Sequence, residues 1–277
     1  MGEMGSRSAK RSRRGRPRVA VVPRRPFNPT KARLVAVRVL ERVERGGAYA
    51  DLALHAALRG DELGARDRAL ATELVYGTLR WRGRLDWMLN AMLDRGFAGL
   101  EPLVATLLRV GAYQIVFGDR LPARAAVDQS VRSARAVGAV RAAGLVNAVL
   151  RRLATEKDAI ALPDLERDPV GHLRHALSLP HWIALRLLEL YGARSAAALA
   201  SASNAVPPLV ARVNPTRTDR ASLWAELAGR LPDVRPGALA PEALQLGHGG
   251  HPARDPAFLE GRFSVQDEAS QLVVELL

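Results

Sequence analysis

The sequence predicts a mainly α-helical protein: an all-α helical bundle followed by a smaller α+β region. Three observations carry that prediction. From about residue 28 to 157, apolar residues recur at three- and four-residue spacing almost without interruption. No part of that stretch offers a strand candidate. Beyond it, Pro207-Pro208 introduces the first convincing strand, and short β-like pieces then alternate with helices.

Order is expected to begin at the helix-start signal Asn28-Pro29-Thr30. Ala32, Val35, Ala36, Val39, Leu40 and Val43 share one face of a first helix, which Gly46-Gly47 ends. Leu70, Leu74 and Trp81 continue the period in a second long segment. Leu85, Met88, Leu89 and Met92 form another, stopped near Gly96. Leu103, Leu107, Val110 and Gln114 mark a helix entered at Pro102 and left at Gly118. Pro122 is expected in the first turn of the next helix, which holds Val127 and Val131. The set closes with residues 141–154, where Leu145, Val149 and Arg152 lie on one face and Val146, Leu150 and Leu153 on the next. This pattern predicts six or seven helices.

A polar linker from Glu156 to Pro169 precedes two or three further helices. One carries Trp182, Ile183, Leu187, Leu188 and Tyr191, and another spans Ala196 to Ala205. A strand over Leu209 to Asn214, a helix from Asp219 to Gly229 and β-like pieces near Val234 and Leu244 to Leu246 follow. Together they read as a partial β-α-β-β arrangement of the ferredoxin-like kind. Arg262 to Gln266 and a helix from Asp267 complete the chain, and that helix is still apolar at Leu277, with no glycine or capping signal.

Charge is unevenly placed. The 277 residues carry a formal net charge of +13, with 41 Lys+Arg against 28 Asp+Glu. Residues 1–27 form a low-complexity basic tail expected to be disordered, and they contribute +8 of that charge. Its apolar stretch, Val19 to Val22, is too short for a signal core, and no apolar run approaches the roughly 18 residues of a membrane span. A cytoplasmic location and no membrane partner are expected. The chain has no cysteine, which excludes disulfides, Cys-ligated zinc, iron–sulfur centres and thiolate nucleophiles. His172 and His175, and His248 and His251, are spaced like metal-ligand pairs but lack a third ligand. They are read as solvated, with no metal. No carboxylate sits in an apolar context that would raise its pKa, and Asp267-Glu268 is ascribed to the helix macrodipole. No catalytic residue is assigned.

Polyanions are the expected partners. Candidate RNA-binding residues are Arg11, Arg13, Arg14 and Arg16 in the tail, Lys31 and Arg33 in the first helix, and Arg80, Arg82 and Arg84 around Trp81. Arg151 and Arg152 in the last bundle helix, with Arg212 and Asn214 near the strand, complete the set. An aromatic between guanidinium groups suits stacking on unpaired bases, although Trp81 keeps register with Leu70 and Leu74, which favours the core. Arg66 and Arg68 alternate with Asp67 and read equally as a salt-bridged solvated face. Asn147, between apolar neighbours, is read as a buried hydrogen-bonding residue before an RNA ligand.

Three motif groups bear a family resemblance. Gly144-Leu145-Val146-Asn147-Ala148-Val149-Leu150-Arg151-Arg152 resembles the last-helix signature of the NusB-like RNA-binding fold. The stretches Asp67 to Arg80 and Leu108 to Gln114 resemble its middle helices. Leu179-Pro180-His181-Trp182, Arg212-Val213-Asn214-Pro215-Thr216-Arg217 and Val265-Gln266-Asp267-Glu268-Ala269-Ser270 follow in order. Over residues 28–277 the chain is thus similar to the Sun/RsmB-type 16S rRNA (cytosine-5) methyltransferases. The resemblance implies a NusB-like RNA-binding domain at 28–157 and a helical linker with a partial ferredoxin-like RNA-binding subdomain at 158–266. Residues 267–277 would be the first helix of a methyltransferase domain.

In that family an S-adenosylmethionine site follows this helix, and two cysteines further on perform the chemistry, because cytosine C5 needs a thiolate added at C6. The chain ends before that module and has no cysteine. It is therefore expected to be truncated, inactive alone and without a cofactor of its own. Gln266, Asp267 and Ser270, which would flank the cofactor, are expected to act as a helix cap. The implied function is the RNA-recognition portion of such an enzyme, binding rRNA and associating with ribosomal subunits. The alternative is a stand-alone NusB-like antitermination factor.

Overall fold

The periodic apolar positions of the first half become seven α-helices: α1 (Lys31–Gly46), α2 (Ala50–Gly60), α3 (Ala65–Arg80), α4 (Arg82–Ala91), α5 (Pro102–Val116), α6 (Ala123–Ala136) and α7 (Ala143–Glu156). The computed structural model describes residues 1, 30–60, 63–118, 121–247 and 252–275. Helix α1 buries the stripe expected of it, and Gly47 ends it in the left-handed conformation (φ 61°), its N–H donating to Val43 O. Helix α2 buries only Ala53 and Leu54, which explains why no stripe announced it. Pro122 precedes the first turn of α6 instead of occupying it, which begins at Ala123.

Helix α5 is the axis of the bundle. It is buried continuously from Leu103 to Ala112 and packs against α1, α3, α4, α6 and α7. A helix apolar all round belongs in the interior. Close approach depends on glycine at two points. A β-carbon at Gly111 would lie 2.4 Å from Leu150 Cδ1, and one at Gly77 would lie 2.1 Å from the Tyr113 ring. Both glycines belong to the middle-helix motifs, so their role there is packing.

One charge sits inside this apolar helix. Arg109 is 8% exposed. It donates to both oxygens of Asp86 on α4, at 2.6 and 2.9 Å, and lies 3.3 Å from Glu44 on α1. Its guanidinium also lies 4.9 Å from the Phe97 ring centroid. Arg82 shares Glu44, at 2.9 Å.

After α7 come a 3-10 turn (Lys157–Ala159), the short helix α8 (Pro169–Gly171), capped by Asp168, and a π-helical turn (His172–Ala176). The two helices expected beyond it are both present within α9 (His181–Asn204), meeting at a kink where Gly192 leaves the helical conformation (φ 70°, ψ 171°). Leu173, Ala184, Ala196 and Ala200 form a small core there, while Trp182 is 71% exposed.

The chain divides into two compact units, residues 1–200 and 201–277. The second contains β1 (Val210–Val213), α10 (Arg220–Ala228), β2 (Arg235–Pro236), β3 (Ala243–Gln245), α11 (Pro256–Leu259), β4 (Phe263–Val265) and α12 (Glu268–Glu275). Its antiparallel sheet has the order β2-β3-β1-β4, with Ala211 opposite both Leu244 and Val265. Pro236 is confined to an edge strand, where its missing N–H is tolerated. Ala211, Val213, Leu244 and Phe263 pack with Leu223 and Leu227 of α10. Asp219 caps α10 through Ser222 N–H at 2.9 Å.

Removing one partner of a buried ion pair leaves the others uncompensated. Arg109→Ala is expected to lower the unfolding free energy by about 3 kcal/mol, the lower end of the usual range because Asp86 is partly exposed. Urea denaturation measures it, and a loss below about 1 kcal/mol would show that the pair does not organise the bundle.

Candidate nucleic-acid interface

The basic cluster at 80–84 lies at the joint between α3 and α4. Trp81 is half-buried and stacks on Phe117, with ring centroids 4.7 Å apart, and Phe117 meets Tyr113 at 5.5 Å. The indole thus packs against the bundle core. Gly83 is a contact point: a β-carbon there would lie 2.3 Å from Arg174 O and 3.1 Å from Ser178 Cα. The Arg84 backbone N–H donates to Ser178 Oγ at 2.9 Å, and Ser178 holds a left-handed conformation (φ 59°) to reach it. The segment 172–178 therefore docks on the start of α4, a pairing that no local pattern announced.

The arginines of this cluster differ in how they are used. Arg82 is exposed but committed to Glu44. Arg80 is half-buried, and its charge opposes the burial and the Glu73 carboxylate that together raise the Tyr113 hydroxyl above its ordinary value. Arg84 is half-buried with its guanidinium 5.9 Å from the Trp81 centroid and 5.6 Å from Phe117, and its Nε is buried without a partner. Burial lowers its pKa.

Elsewhere on the bundle, Lys31 and Arg151 are exposed. Arg33 is a correction. It is 7% exposed and donates to Gln114 Oε1 and Thr30 Oγ1, each at 2.7 Å, so its charge faces inward and burial lowers its pKa. Arg152 pairs with Glu156 at 3.2 Å on the rim of a cavity of ≈ 360 Å³ lined by Trp87, Asn90, Met92 and Ile160. Arg68 does not pair along a solvated face: it donates to the carbonyls of Leu58 and Leu63, tying α3 to the end of α2. Asn147 is half-buried. Arg11, Arg13, Arg14 and Arg16 lie outside the described residues, as do His248 and His251.

In the second unit, Arg212 is half-buried on β1 and donates to Gln266 at 3.5 Å. Asn214 is committed to its own loop. Its amide donates to Gly261 O at 2.9 Å, and its carbonyl accepts from Thr216 N–H and Oγ1. These bonds hold the Asn214 carbonyl and one amide N–H within the loop, so its expected role as an RNA contact gives way to one in the loop itself. Asp267 does cap α12, accepting from Ala269 N–H at 2.8 Å, while Ser270 is exposed. Glu268 does more than complement a macrodipole. Its buried carboxylate accepts the backbone N–H groups of Leu239 and Ala240, which hold its pKa below the ordinary carboxylate range. Asp219, through Ser222, and Glu226, through Arg262, are lowered as well.

Two histidines are not solvated as expected. His172 Nδ1 is 2.8 Å from Pro163 O, and the His175 ring lies 4.6 Å from that of Trp87 at a tilt of 32°, where burial lowers its pKa. Among the described residues no three His, Asp or Glu side chains gather as a metal site would require.

This helical bundle with its basic joint, followed by an antiparallel sheet unit, defines a NusB-type domain joined to a ferredoxin-like one. Residues 30–155 match the NusB family, and residues 179–251 match the ferredoxin-like domain of Methyltr_RsmF/B-like proteins. The chain is similar to ribosomal RNA small subunit methyltransferase B proteins. It is 34% identical over 248 residues to the probable ribosomal RNA small subunit methyltransferase B of Bacillus subtilis, covering 90% of this chain and 55% of the relative. It is 36% identical over 245 residues to the Pseudomonas putida protein of that name, covering 88% and 54%. The chain spans about half the length of these curated relatives. The crystal structure of PH0851 shares the fold, with a TM-score of 0.59 and 18% identity over 86% of this chain and 54% of that one.

Two outcomes follow from these contacts. Gly83→Ala is expected to accelerate hydrogen exchange at residues 172–178, because Arg174 O is backbone and cannot rotate away, even though alanine favours the helix by about 1 kcal/mol. Unchanged exchange would show that the docking is not tight. Glu268, with its folded-state pKa depressed, contributes stability above its unfolded value of about 4.3 that is lost as pH falls through the folded value. Glu268→Gln is expected to flatten the decline of stability with acid, read by denaturation at a series of pH values. An identical pH slope in the variant would count against the clamp.

Proposed function

We propose that this chain is the RNA-recognition portion of an S-adenosylmethionine-dependent rRNA (cytosine-5) methyltransferase, holding rRNA for a catalytic domain outside these 277 residues. The order of its two domains carries the reading: a NusB domain precedes an RsmF/B-type ferredoxin-like domain, in a chain whose relatives are named for rRNA methylation. In this reading residues 1–27 are a tail, 28–157 the RNA-binding bundle, 158–266 the linker and ferredoxin-like part, and 267–277 the entry to the methyltransferase module. Lys31, Arg80, Arg84 and Arg151, with the tail arginines, contact phosphates, and Arg212 adds a contact from the sheet. Arg82 and Arg152 reach RNA only by leaving their acidic partners. The setting is the cytoplasm and the partner is the small ribosomal subunit. No helix among the described residues is long and apolar enough to cross a membrane.

The residues present fit neither thiolate chemistry nor a cradle for S-adenosylmethionine. The sequence has no cysteine, Asp267 and Glu268 are engaged in the fold, and Gln271 Nε2 donates to Gln266 O at 3.1 Å. What these residues do is bind and orient.

Competition separates the readings, since salt-dependent binding alone is common to all polyanion partners. A folded small-subunit rRNA fragment is expected to displace a labelled copy of itself at concentrations where duplex DNA and a boxA-like RNA do not. Equal displacement by duplex DNA would overturn RNA recognition, and preference for the boxA-like RNA would favour an antitermination factor.

A further inference from the structure

Several half-buried or interhelical guanidinium groups on the bundle have an acceptor: Arg109 has Asp86 and Glu44, Arg82 has Glu44, Arg33 has Gln114 and Thr30, and Arg152 has Glu156. Arg84 is different. Among the described residues no carboxylate lies within ion-pair distance of it, and its Nε is shut off from solvent without an acceptor. Aromatic rings lie beside it instead, those of Trp81 and Phe117. Its root cannot drift, because its N–H is held by Ser178 Oγ and the adjoining Gly83 abuts Arg174 O.

A cation that is half-desolvated, unpaired and fixed in place destabilises the free protein. Stacking on aromatic faces offsets part of that penalty and fixes the guanidinium plane. An anion at the open edge would offset the rest. We propose that Arg84 is a phosphodiester anchor, a preformed site on the bundle for one backbone phosphate of bound RNA. The proposal rests on the RNA-recognition reading above and sharpens it: within the 80–84 cluster, Arg82 is structural and Arg84 is a preformed contact. Lysine would not substitute, since it lacks the planar face that stacks and the fork that meets two phosphate oxygens.

The test uses the full chain, a single-stranded oligonucleotide from small-subunit rRNA, and the variants Arg84→Met, Arg84→Lys and Arg82→Met. Arg84→Met is expected to melt at the same temperature as the wild type or higher without RNA, and to bind RNA about tenfold more weakly at low salt. Its plot of log affinity against log salt should be shallower by about 0.7, one phosphate on a single strand. Arg84→Lys should recover the slope but not the affinity. Arg82→Met should melt lower and keep the wild-type slope. A wild-type slope in Arg84→Met, or a lower melting temperature with unchanged RNA binding, overturns the anchor while leaving the RNA reading intact. Absence of RNA binding by the wild type overturns both. Inorganic phosphate that stabilises the wild type as much as RNA does at equal ionic strength, through Arg84, would mark a small-anion site and overturn the assignment to RNA.

Discussion

The buried guanidinium of Arg109 is the constraint from which the geometry of the bundle follows. A charge on the inward face of a continuously buried helix is tolerated only where acids meet it, and the acids come from two other helices. Asp86 and Glu44 therefore fix the rotation of α4 and α1 about α5. Because Arg82 draws on the same Glu44, the joint between α3 and α4 is fixed as well. That joint carries Trp81 and Arg84, so the surface assigned to RNA inherits its shape from an ion pair one layer beneath it.

Much of the fold was legible because it is periodic and local. The stripes of α1, α5 and α7 are set by neighbours three or four residues away, and the strand after Pro207-Pro208 and the helix after Asp219 by the turn and cap residues beside them. The fate of individual charges was not legible, because it depends on partners far along the chain. Lys31 and Arg33 look alike in sequence, yet one is exposed and the other meets Gln114, 81 residues on. Glu268 looked like a helix-start acid and proved to hold backbone amides 28 and 29 residues earlier. The exception is Leu108-Arg109-Val110, which places a charge within an otherwise apolar helix and by itself demands a buried partner.

The candidate site divides in the same way. Composition pointed to a polyanion, and motif order pointed to RNA, but neither could rank the arginines. Ranking them required knowing which already have an acid or an acceptor. Arg33, Arg82 and Arg152 stabilise the protein itself, and Asn214 stabilises its loop. Lys31, Arg84 and Arg151 are left with electrostatic capacity to spare.

The seat of residues 172–178 on Gly83 bears on how such proteins can be rearranged. The match to the NusB family stops at residue 155, yet the segment that pins the backbone of Arg84 comes more than a dozen residues later. A bundle transplanted on the family boundary would keep its hydrophobic core and lose the brace behind Arg84. The unit of inheritance for recognition is therefore longer than the unit of folding, and exchange of this domain between proteins is expected to preserve function only when the stretch through Ser178 travels with it.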